Sequence, residues 1–152
     1  MDLEIPLRTY RSPRELLEQI RQIIGGNQPS FHSSPLEEIV EALANGRHYS
    51  WVAIHLTAED HASPRLLGAG GDAHPAQIKH PQSKSKILVS MRIAGREIGV
   101  LAVENERAFG SEDRVLLEGV ADLLARFLAG PGKYLVLKAR TAVPVARSAA
   151  GR

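Results

Sequence analysis

Three side chains with ligand-binding chemistry, the indole of Trp51, the imidazole of His55 and the carboxylate of Glu104, occur in two apolar segments. Residues 50–57 alternate with the two-residue period of a strand, which directs the even-numbered apolar side chains to the core. Trp51 and His55 therefore share the opposite face of this strand. Glu104 stands near the end of a second strand, where a carboxylate either binds a ligand or meets water at the sheet edge.

Other constellations in the sequence are poorly suited to catalysis or metal binding. Cysteine is absent, which removes disulfides, thiolate nucleophiles and cysteine zinc sites. His61, His74 and His80 are spaced 13 and 6 residues apart, without the close pair that is typical of a metal site. Residues 68–73 match a dinucleotide-binding fingerprint only in letters, because nearby prolines prevent the helix that must follow. We therefore expect no metal and no catalytic nucleophile.

The net charge of +2 conceals an acidic body and a basic tail. Residues 131–152 hold five basic and no acidic side chains, whereas residues 1–130 hold 14 basic and 17 acidic ones. The tail has a single aromatic residue, so we expect a solvated end and no specific nucleic-acid partner. Because neither a secretory leader nor an apolar run of the ~20 residues that span a bilayer is visible, we expect a cytoplasmic protein without membrane attachment.

Amphipathic segments predict three helices that cover one face of the strands. Ser12 and Glu15 have the types and spacing of a capping box around Pro13. A similar Ser–Pro start opens the second helix, which we expect Asn45–Gly46 to end in a left-handed turn. The predicted helical ranges are 13–24, 35–45 and 112–129.

The strands that these helices must cover read as an antiparallel sheet. The predicted strands are 50–57, 65–69, and a hairpin of 86–93 and 97–105 that turns at Ala94–Gly95–Arg96. The pattern predicts an α+β fold with five or six antiparallel strands and the helices on one face. We expect one domain over residues 1–130 and a tail over 131–152, with one short strand at Tyr134–Leu137 and disorder beyond it.

Three short runs occur in a characteristic order: W-V-A-I-H-L at 51–56, I-G-V-L-A-V-E at 98–104 and F-G-S-E-D at 109–113. From Tyr49 through Leu128 the chain thereby resembles a GAF domain, the small regulatory module of phosphodiesterases, phytochromes and many bacterial signalling proteins. The resemblance implies a regulatory or sensor domain in signal transduction that binds a small ligand or a protein partner. These residues do not identify a cofactor or a ligand.

Within that family, the local resemblance is to free methionine-(R)-sulfoxide reductases. Trp51 matches their strand, whereas His55 stands in place of a tyrosine and Glu104 in place of the second of two acids. Ala102 replaces the first acid, and Lys86 stands near an expected glutamate. The reductase chemistry requires thiolates, which this chain lacks, so the resemblance implies a non-catalytic member.

The segment 70–85 departs from the family pattern. Typical GAF domains have a long segment here that folds over the sheet and covers the ligand, but this one is short, polar and interrupted by proline. A short cover encloses less ligand surface. We therefore expect a shallow site against Trp51, His55 and Glu104. The alternatives are that the 70–86 loop packs over the whole of this face, or that the GAF fold is degenerate and acts only as a dimerisation module.

The third predicted helix carries more apolar surface than one sheet can cover, since a packed helix needs a stripe of only about 100°. We expect a homodimer through Val115, Leu116, Leu123, Phe127 and the first helix, because symmetric pairing is the common way to bury such a surplus. The alternative is that the first helix covers the surplus within the same chain.

Overall fold

The computed structural model describes residues 11–26, 34–57, 65–71 and 85–139, which form four helices and four strands. In chain order these are α1 (Pro13–Gly25), α2 (Pro35–Arg47), β1 (Trp51–Leu56), β2 (Arg65–Gly70), β3 (Ser85–Ile93), β4 (Arg96–Asn105) and α3 (Ser111–Ala129). Residues 133–139 add a short helix, α4. The α+β prediction is confirmed. The predicted histidine loops and the end of the basic tail, at 140–152, lie outside the described residues.

The sheet has four strands in the order β2-β1-β4-β3, and every neighbouring pair is antiparallel. The prediction of five or six strands is therefore wrong for the described residues. One expected strand, Tyr134–Leu137, is part of α4 instead. Helix α4 follows directly from the turn after α3, where the Leu135 N–H donates to the Gly132 carbonyl over 2.9 Å. Leu135 and Val136 are thereby buried in the main core, so tertiary packing overrides the β propensity of this run.

All the helix contacts with the sheet fall on one face. Helix α2 packs on β1 and β2, whereas α3 packs on β3 and β4. Helix α1 lies over α2 and α3 and forms an outer layer, because its buried residues, Leu16 and Ile20, meet those helices. The strand residues that join this core are Val52, Ile54, Leu56, Ile87, Met91, Leu101 and Val103. Among the described helices, none combines the length and apolar character needed to cross a bilayer.

The helix starts follow the prediction, but the end of α2 does not. Ser12 Oγ accepts from Glu15 N–H over 3.1 Å, and Glu15 Oε1 accepts from Ser12 N–H over 3.2 Å, which completes the capping box. Helix α2 continues through Asn45–Gly46, and His48 takes the left-handed conformation with φ 58°. Gly46 is required for packing instead, since a Cβ at this position would lie 2.9 Å from Leu16 Cδ2.

The apolar surplus of α3 is largely covered within the chain. Helix α1 packs along α3, and a Cβ at Gly119 would lie 3.2 Å from Leu17 Cδ2. Leu116 and Phe127 are 0% and 2% exposed and belong to the core, so these two residues do not provide dimer surface. The exception is Val115, which is 63% exposed.

Candidate functional site

The face of the sheet away from the helices, called here the outer face, carries all three candidate ligand-binding residues. Trp51 pairs directly with Glu104 across β1 and β4, and Glu104 pairs with Lys86 across β4 and β3. Residues directly opposite in antiparallel strands point to the same face with Cβ atoms about 4.5–5.5 Å apart. The first row of the outer face is therefore an indole, a carboxylate and an ammonium group side by side.

The second row of the outer face is made of small side chains. Ala53 pairs with Ala69 on β2 and with Ala102 on β4, and Ala102 pairs in turn with Leu88. Three methyl groups in line form a flat floor beside the first row, and Ala53, at its centre, is 2% exposed. Leu88, at the edge strand, is 64% exposed and borders this floor.

His55 lies in the third row, where it pairs with Leu66 on β2 and Val100 on β4. It is four residues from Trp51, which places the two side chains about 13 Å apart along the strand. Partial burial lowers the pKa of His55 below its ordinary value, so the imidazole is neutral at pH 7. The structure therefore brings Trp51 and Glu104 together and puts His55 at the far end of the alanine floor.

Two residues of the first row are much less exposed than residues of an ordinary solvent-facing sheet surface. Trp51 is 7% exposed and Glu104 is 5% exposed, although neither belongs to the core between sheet and helices. Glu104 Oε2 lies 4.0 Å from Lys86 Nζ, and the Lys86 side chain is 56% exposed. A carboxylate that is buried outside the main core is unusual, because desolvation disfavours the charge unless donors surround it.

A second polar group, called here the Arg47 cluster, comprises Arg47, Tyr49, Glu112, Asp113 and the carbonyl of Arg11. Asp113 Oδ1 accepts from Arg47 Nε at 3.1 Å, from Arg47 Nη2 at 3.0 Å and from the Tyr49 hydroxyl at 2.7 Å. Arg47 Nη1 donates to the carbonyl of Arg11 over 2.8 Å, and Glu112 Oε1 lies 3.1 Å from Arg47 Nη2. The cluster therefore joins the end of α2 to the starts of α1 and α3.

The ionisable groups in the Arg47 cluster shift one another's pKa values. Burial acts to raise the pKa of Asp113, but the Gly110 N–H, the Tyr49 hydroxyl and the Arg47 guanidinium together hold that pKa below its usual value. Burial and the neighbouring carboxylate raise the pKa of Tyr49. Asp113 is therefore ionised and Tyr49 protonated at pH 7, which suits a structural contact and not proton transfer at neutral pH.

Residues 49–51 connect the cluster to the outer face. Tyr49 belongs to the core and packs on Phe109 with ring centroids 5.8 Å apart, whereas Trp51 does not belong to that core. Two residues of a continuous strand would share a face, so the chain changes direction at the bend of Ser50. The Ser50 N–H donates to the Glu104 carbonyl over 3.0 Å and fixes the start of β1 beside Glu104.

Comparison with known families decides the identity of this fold. Residues 14–128 match the family model of the GAF domain. This chain belongs to the GAF domain family. The resemblance expected from the sequence is thereby confirmed. A comparison of the GAF domain with curated protein sequences finds no match.

Solved structures similar to this GAF domain include a first group of methionine-R-sulfoxide reductases and a second group of GAF domains from other proteins. Free methionine-R-sulfoxide reductase from Neisseria meningitidis, in complex with its substrate, is 20% identical, with 80% of this chain and 96% of that chain covered and a TM-score of 0.64. The GAF domain of a phosphoenolpyruvate-protein phosphotransferase from Coxiella burnetii is 13% identical, with 78% and 93% covered and a TM-score of 0.65.

A GAF domain from Pseudomonas syringae pv. tomato, described as part of a sensor histidine kinase, belongs with the second group. It is 15% identical, with 82% of this chain and 92% of that chain covered and a TM-score of 0.60. At these identities the comparison establishes the shared fold. Family members with this fold are commonly regulatory, and some of the similar structures are reductases.

The Arg47 cluster is the part of this GAF domain that the sequence reading missed. Asp113 is recognisable as an acid in the first turn of α3, but its partners Arg47 and Tyr49 are 66 and 64 residues away. The available signal was a basic residue in the last turn of α2, where it also suits the helix dipole. The histidines considered as metal ligands, His61, His74 and His80, lie outside the described residues; within the described ranges, no group of three or more His, Cys, Asp or Glu converges.

Proposed function

We propose that this GAF domain is a non-catalytic, cytoplasmic regulatory domain of a signalling system that binds a small ligand on its outer face. The observation that carries the proposal is the burial of Trp51 and Glu104 side by side, on the face of the sheet that the helices do not cover. Small-molecule sites usually combine apolar walls with a few polar groups that orient the ligand. The alanine floor supplies such a wall beside these two residues.

The residues of the chain favour binding over catalysis. Some similar structures are methionine-R-sulfoxide reductases, and thiol chemistry of that kind needs a cysteine thiolate as nucleophile. This chain contains no cysteine. Ala102, in the middle row, adds a methyl group where the sequence resemblance expects a carboxylate. The first row retains one acid, Glu104, which suits the recognition of a ligand group.

Tryptophan fluorescence tests ligand binding directly, because Trp51 is the single tryptophan of the chain. We expect metabolites that bind the outer face to change the emission of the full chain, and native mass spectrometry of protein from rich medium to show a bound small molecule. The matched control is Gln22, an exposed residue of α1, whose replacement by alanine leaves the response unchanged. Unchanged emission across a broad metabolite library, together with a ligand-free mass, contradicts the proposal.

The alternative function is a homodimerisation module, which the exposure of Val115 favours. Val115 is 63% exposed on α3, Leu123 on the same helix is half-buried, and α1 packs against this helix. Leu116 and Phe127 support this surface from the core. Under this alternative, sedimentation equilibrium at micromolar concentration gives twice the chain mass of 16.5 kDa.

A pair of substitutions separates the dimer interface from general loss of apolar surface. Val115→Asn shifts the dimer to monomer, whereas Leu137→Asn, at an apolar residue of α4 that is 52% exposed, leaves it intact. A wild-type monomer of 16.5 kDa at these concentrations contradicts the dimer. Equal effects of the two substitutions contradict the assignment of Val115 to the interface.

A further inference from the structure

Strand β3 forms one edge of the sheet. It pairs with β4 on one side, and among the described residues no backbone group bonds to its other side. Alternate N–H and C=O groups of such a strand point away from its neighbour and can pair with another extended chain. The opposite edge, β2, has six residues and two glycines, whereas β3 has nine residues and neither glycine nor proline. Glycine weakens a strand and proline removes a donor, so β3 is the better template of the two.

The outer-face side chains of β3 are open to solvent, in contrast to those of the central strands. In the first row, Trp51 and Glu104 are buried, whereas the Lys86 side chain beside them is 56% exposed. In the second row, Ala53 is buried, whereas Leu88 at the edge is 64% exposed. The covered part of the outer face therefore ends before β3, which leaves the flank of this strand accessible.

The charge on β3 selects the kind of strand that fits beside it. The strand carries Lys86 and Arg92 near its two ends and no acidic residue. Pairing two copies through β3 would bring basic side chains together without an acid, and like charges across a strand pair oppose pairing. Strand β2 holds Arg65 and likewise no acid. Neither described edge of a second copy is therefore complementary to β3, whereas an acidic segment of another protein is.

Both basic side chains of β3 can reach such a segment. Arg92 is exposed, and its contact of 3.3 Å with the Gly95 carbonyl engages one of the five donors of a guanidinium group. Lys86 Nζ lies 4.0 Å from Glu104 Oε2, beyond hydrogen-bond distance, so its donors can turn to a second carboxylate. Leu88 lies between the two in the chain and offers the apolar contact that an incoming strand would cover.

We propose that the edge of β3 binds an extended segment of a partner protein, whose acidic residues lie opposite Lys86 and Arg92 and whose apolar residue covers Leu88. The segment adds a strand to the sheet next to β3. Main-chain hydrogen bonds supply the affinity, and the alternate side chains supply the specificity. The inference goes beyond the small-ligand site proposed for the outer face and does not depend on it, because its hydrogen-bonding groups lie at the edge of the sheet.

A peptide that spans residues 86–92 in antiparallel register tests the proposal: Glu-Thr-Ser-Val-Leu-Thr-Glu, with capped ends and a fluorescent label. Its leucine lies opposite Leu88, and its two glutamates lie opposite Lys86 and Arg92. Fluorescence anisotropy with the full chain at low ionic strength measures its affinity. We expect saturable binding that is at least about tenfold tighter than that of the same peptide with lysine in place of both glutamates.

A second control peptide separates strand pairing from attraction between charges alone. Proline in place of the adjacent serine and valine leaves both glutamates in the peptide. Because alternate N–H groups face β3, this change removes at least one donor of the pairing and should weaken binding at least about tenfold. Hydrogen exchange reports the same event on the protein: we expect N–H groups on the open side of β3 to exchange rapidly in the free chain and to become protected when the acidic peptide binds.

Variants of the chain connect binding to the residues of β3. Leu88→Asn and Arg92→Gln should each weaken binding of the acidic peptide about threefold. Lys86→Gln should act in the same direction, and its melting temperature is recorded because Lys86 also lies beside the buried Glu104. Arg114→Gln removes an exposed charge from α3, and as the matched control it leaves the affinity unchanged.

Several results would overturn the proposal. No saturable binding up to about 1 mM peptide would show that the edge does not accept a strand of this kind. Equal affinities of the glutamate and lysine peptides, or of the glutamate and proline peptides, would remove the role of charge or of strand pairing. Protection of all the β3 amides in the chain without peptide would show that the edge is already paired. If such protection comes with a dimer that Leu88→Asn dissociates, the occupant of the edge is a second copy.

Discussion

Replacing Asp113 by asparagine tests how strongly the Arg47 cluster joins the helices. The substitution keeps the size of the side chain and removes its charge, while the acceptor of three hydrogen bonds from Arg47 and Tyr49 becomes an amide. The amide nitrogen would also face a donor, because Asp113 Oδ2 accepts from the Gly110 N–H over 2.9 Å. At least one donor therefore loses its partner.

The expected loss follows from the burial of the two charged side chains. Arg47 is 7% exposed and Asp113 is 14% exposed, so solvent replaces little of the lost interaction. Breaking a buried ion pair typically costs about 3–5 kcal/mol. Glu112 remains 3.1 Å from Arg47 but is 62% exposed, and it compensates in part. We therefore expect Asp113→Asn to lower the free energy of unfolding by about 2–3 kcal/mol.

The matched control is Asp122→Asn on the same helix. Asp122 Oδ2 lies 2.6 Å from Arg126 Nη2, closer than any contact between Asp113 and Arg47, but these side chains are 55% and 68% exposed. Exposed pairs contribute about 0–1 kcal/mol, so this variant should lose less than about 0.5 kcal/mol. Urea denaturation followed by circular dichroism measures both. A domain of about 150 residues loses roughly 2–4 °C of melting temperature per kcal/mol, which separates the two variants clearly.

Equal stability losses in the two variants would refute the reasoning, because burial would then not decide the strength of the pair. A loss below about 1 kcal/mol for Asp113→Asn would show that the remaining partners of Arg47 carry the helix junction. The slope of the urea transition must also agree among the variants, since a changed slope indicates a different unfolded state and not a lost interaction.

Other substitutions test neighbouring parts of the argument. Gly99→Ala would place a methyl group against Met91 Cε and the carbonyl of His55, so we expect urea denaturation to show a loss of about 2 kcal/mol or more in the free energy of unfolding. Gly25→Ala, with open space around it, is the control and should change that free energy by less than about 0.5 kcal/mol. The pKa of His55 is lower in the folded chain than in the unfolded chain, so on acidification the unfolded chain takes up this proton at a higher pH. The free energy of unfolding therefore falls as the pH drops below about 6.5. His55→Gln should lose less stability between pH 7 and pH 5 than the wild type. Tyr49→Phe removes one donor to Asp113 and should lower the free energy of unfolding by about 1–3 kcal/mol at pH 7. An unchanged free energy of unfolding would contradict a buried hydrogen bond at this position.

Local signals predicted the elements of the fold because each rests on residues close together in the chain. Ser12 and Glu15 form the capping box that their spacing indicates. The hairpin turns where the glycine predicts, with Ala94 and Gly95 at φ 53° and 77°. Such positive values are expected at both central residues of a tight two-residue turn. The alternation along β1 likewise separates Trp51 from the core.

Features that depend on distant contacts were not predictable in the same way. Gly46 has the residue type of a helix end, but Leu16 packs so closely against it that the helix continues and His48 takes the left-handed turn. Tyr134–Leu137 has the composition of a strand, yet burial of Leu135 and Val136 favours a helix. In both cases packing against residues distant in the chain, which no local pattern encodes, determines the backbone.

The candidate site divides along the same line. Alternation alone assigns Trp51 and His55 to one face, whereas the pairing of Trp51 with Glu104 requires the register of β1 on β4. That register also brings Lys86 beside Glu104 and leaves the carboxylate with an exposed partner at 4.0 Å. The position of the carboxylate between an indole and an ammonium group thus follows from the register of three strands, which alternation along one strand does not encode.

Stability and ligand recognition depend on different sides of the segment 49–51. Tyr49 turns toward the helices and the Arg47 cluster, whereas Trp51 turns toward the outer face, and the bend at Ser50 separates them. Asp113→Asn therefore acts on the first side and Glu104→Gln on the second. Because the Ser50 N–H donates to the backbone carbonyl of Glu104, this junction survives a change of the Glu104 side chain. A ligand effect in Glu104→Gln without a matching loss of stability would then report recognition at the outer face rather than damage to the fold.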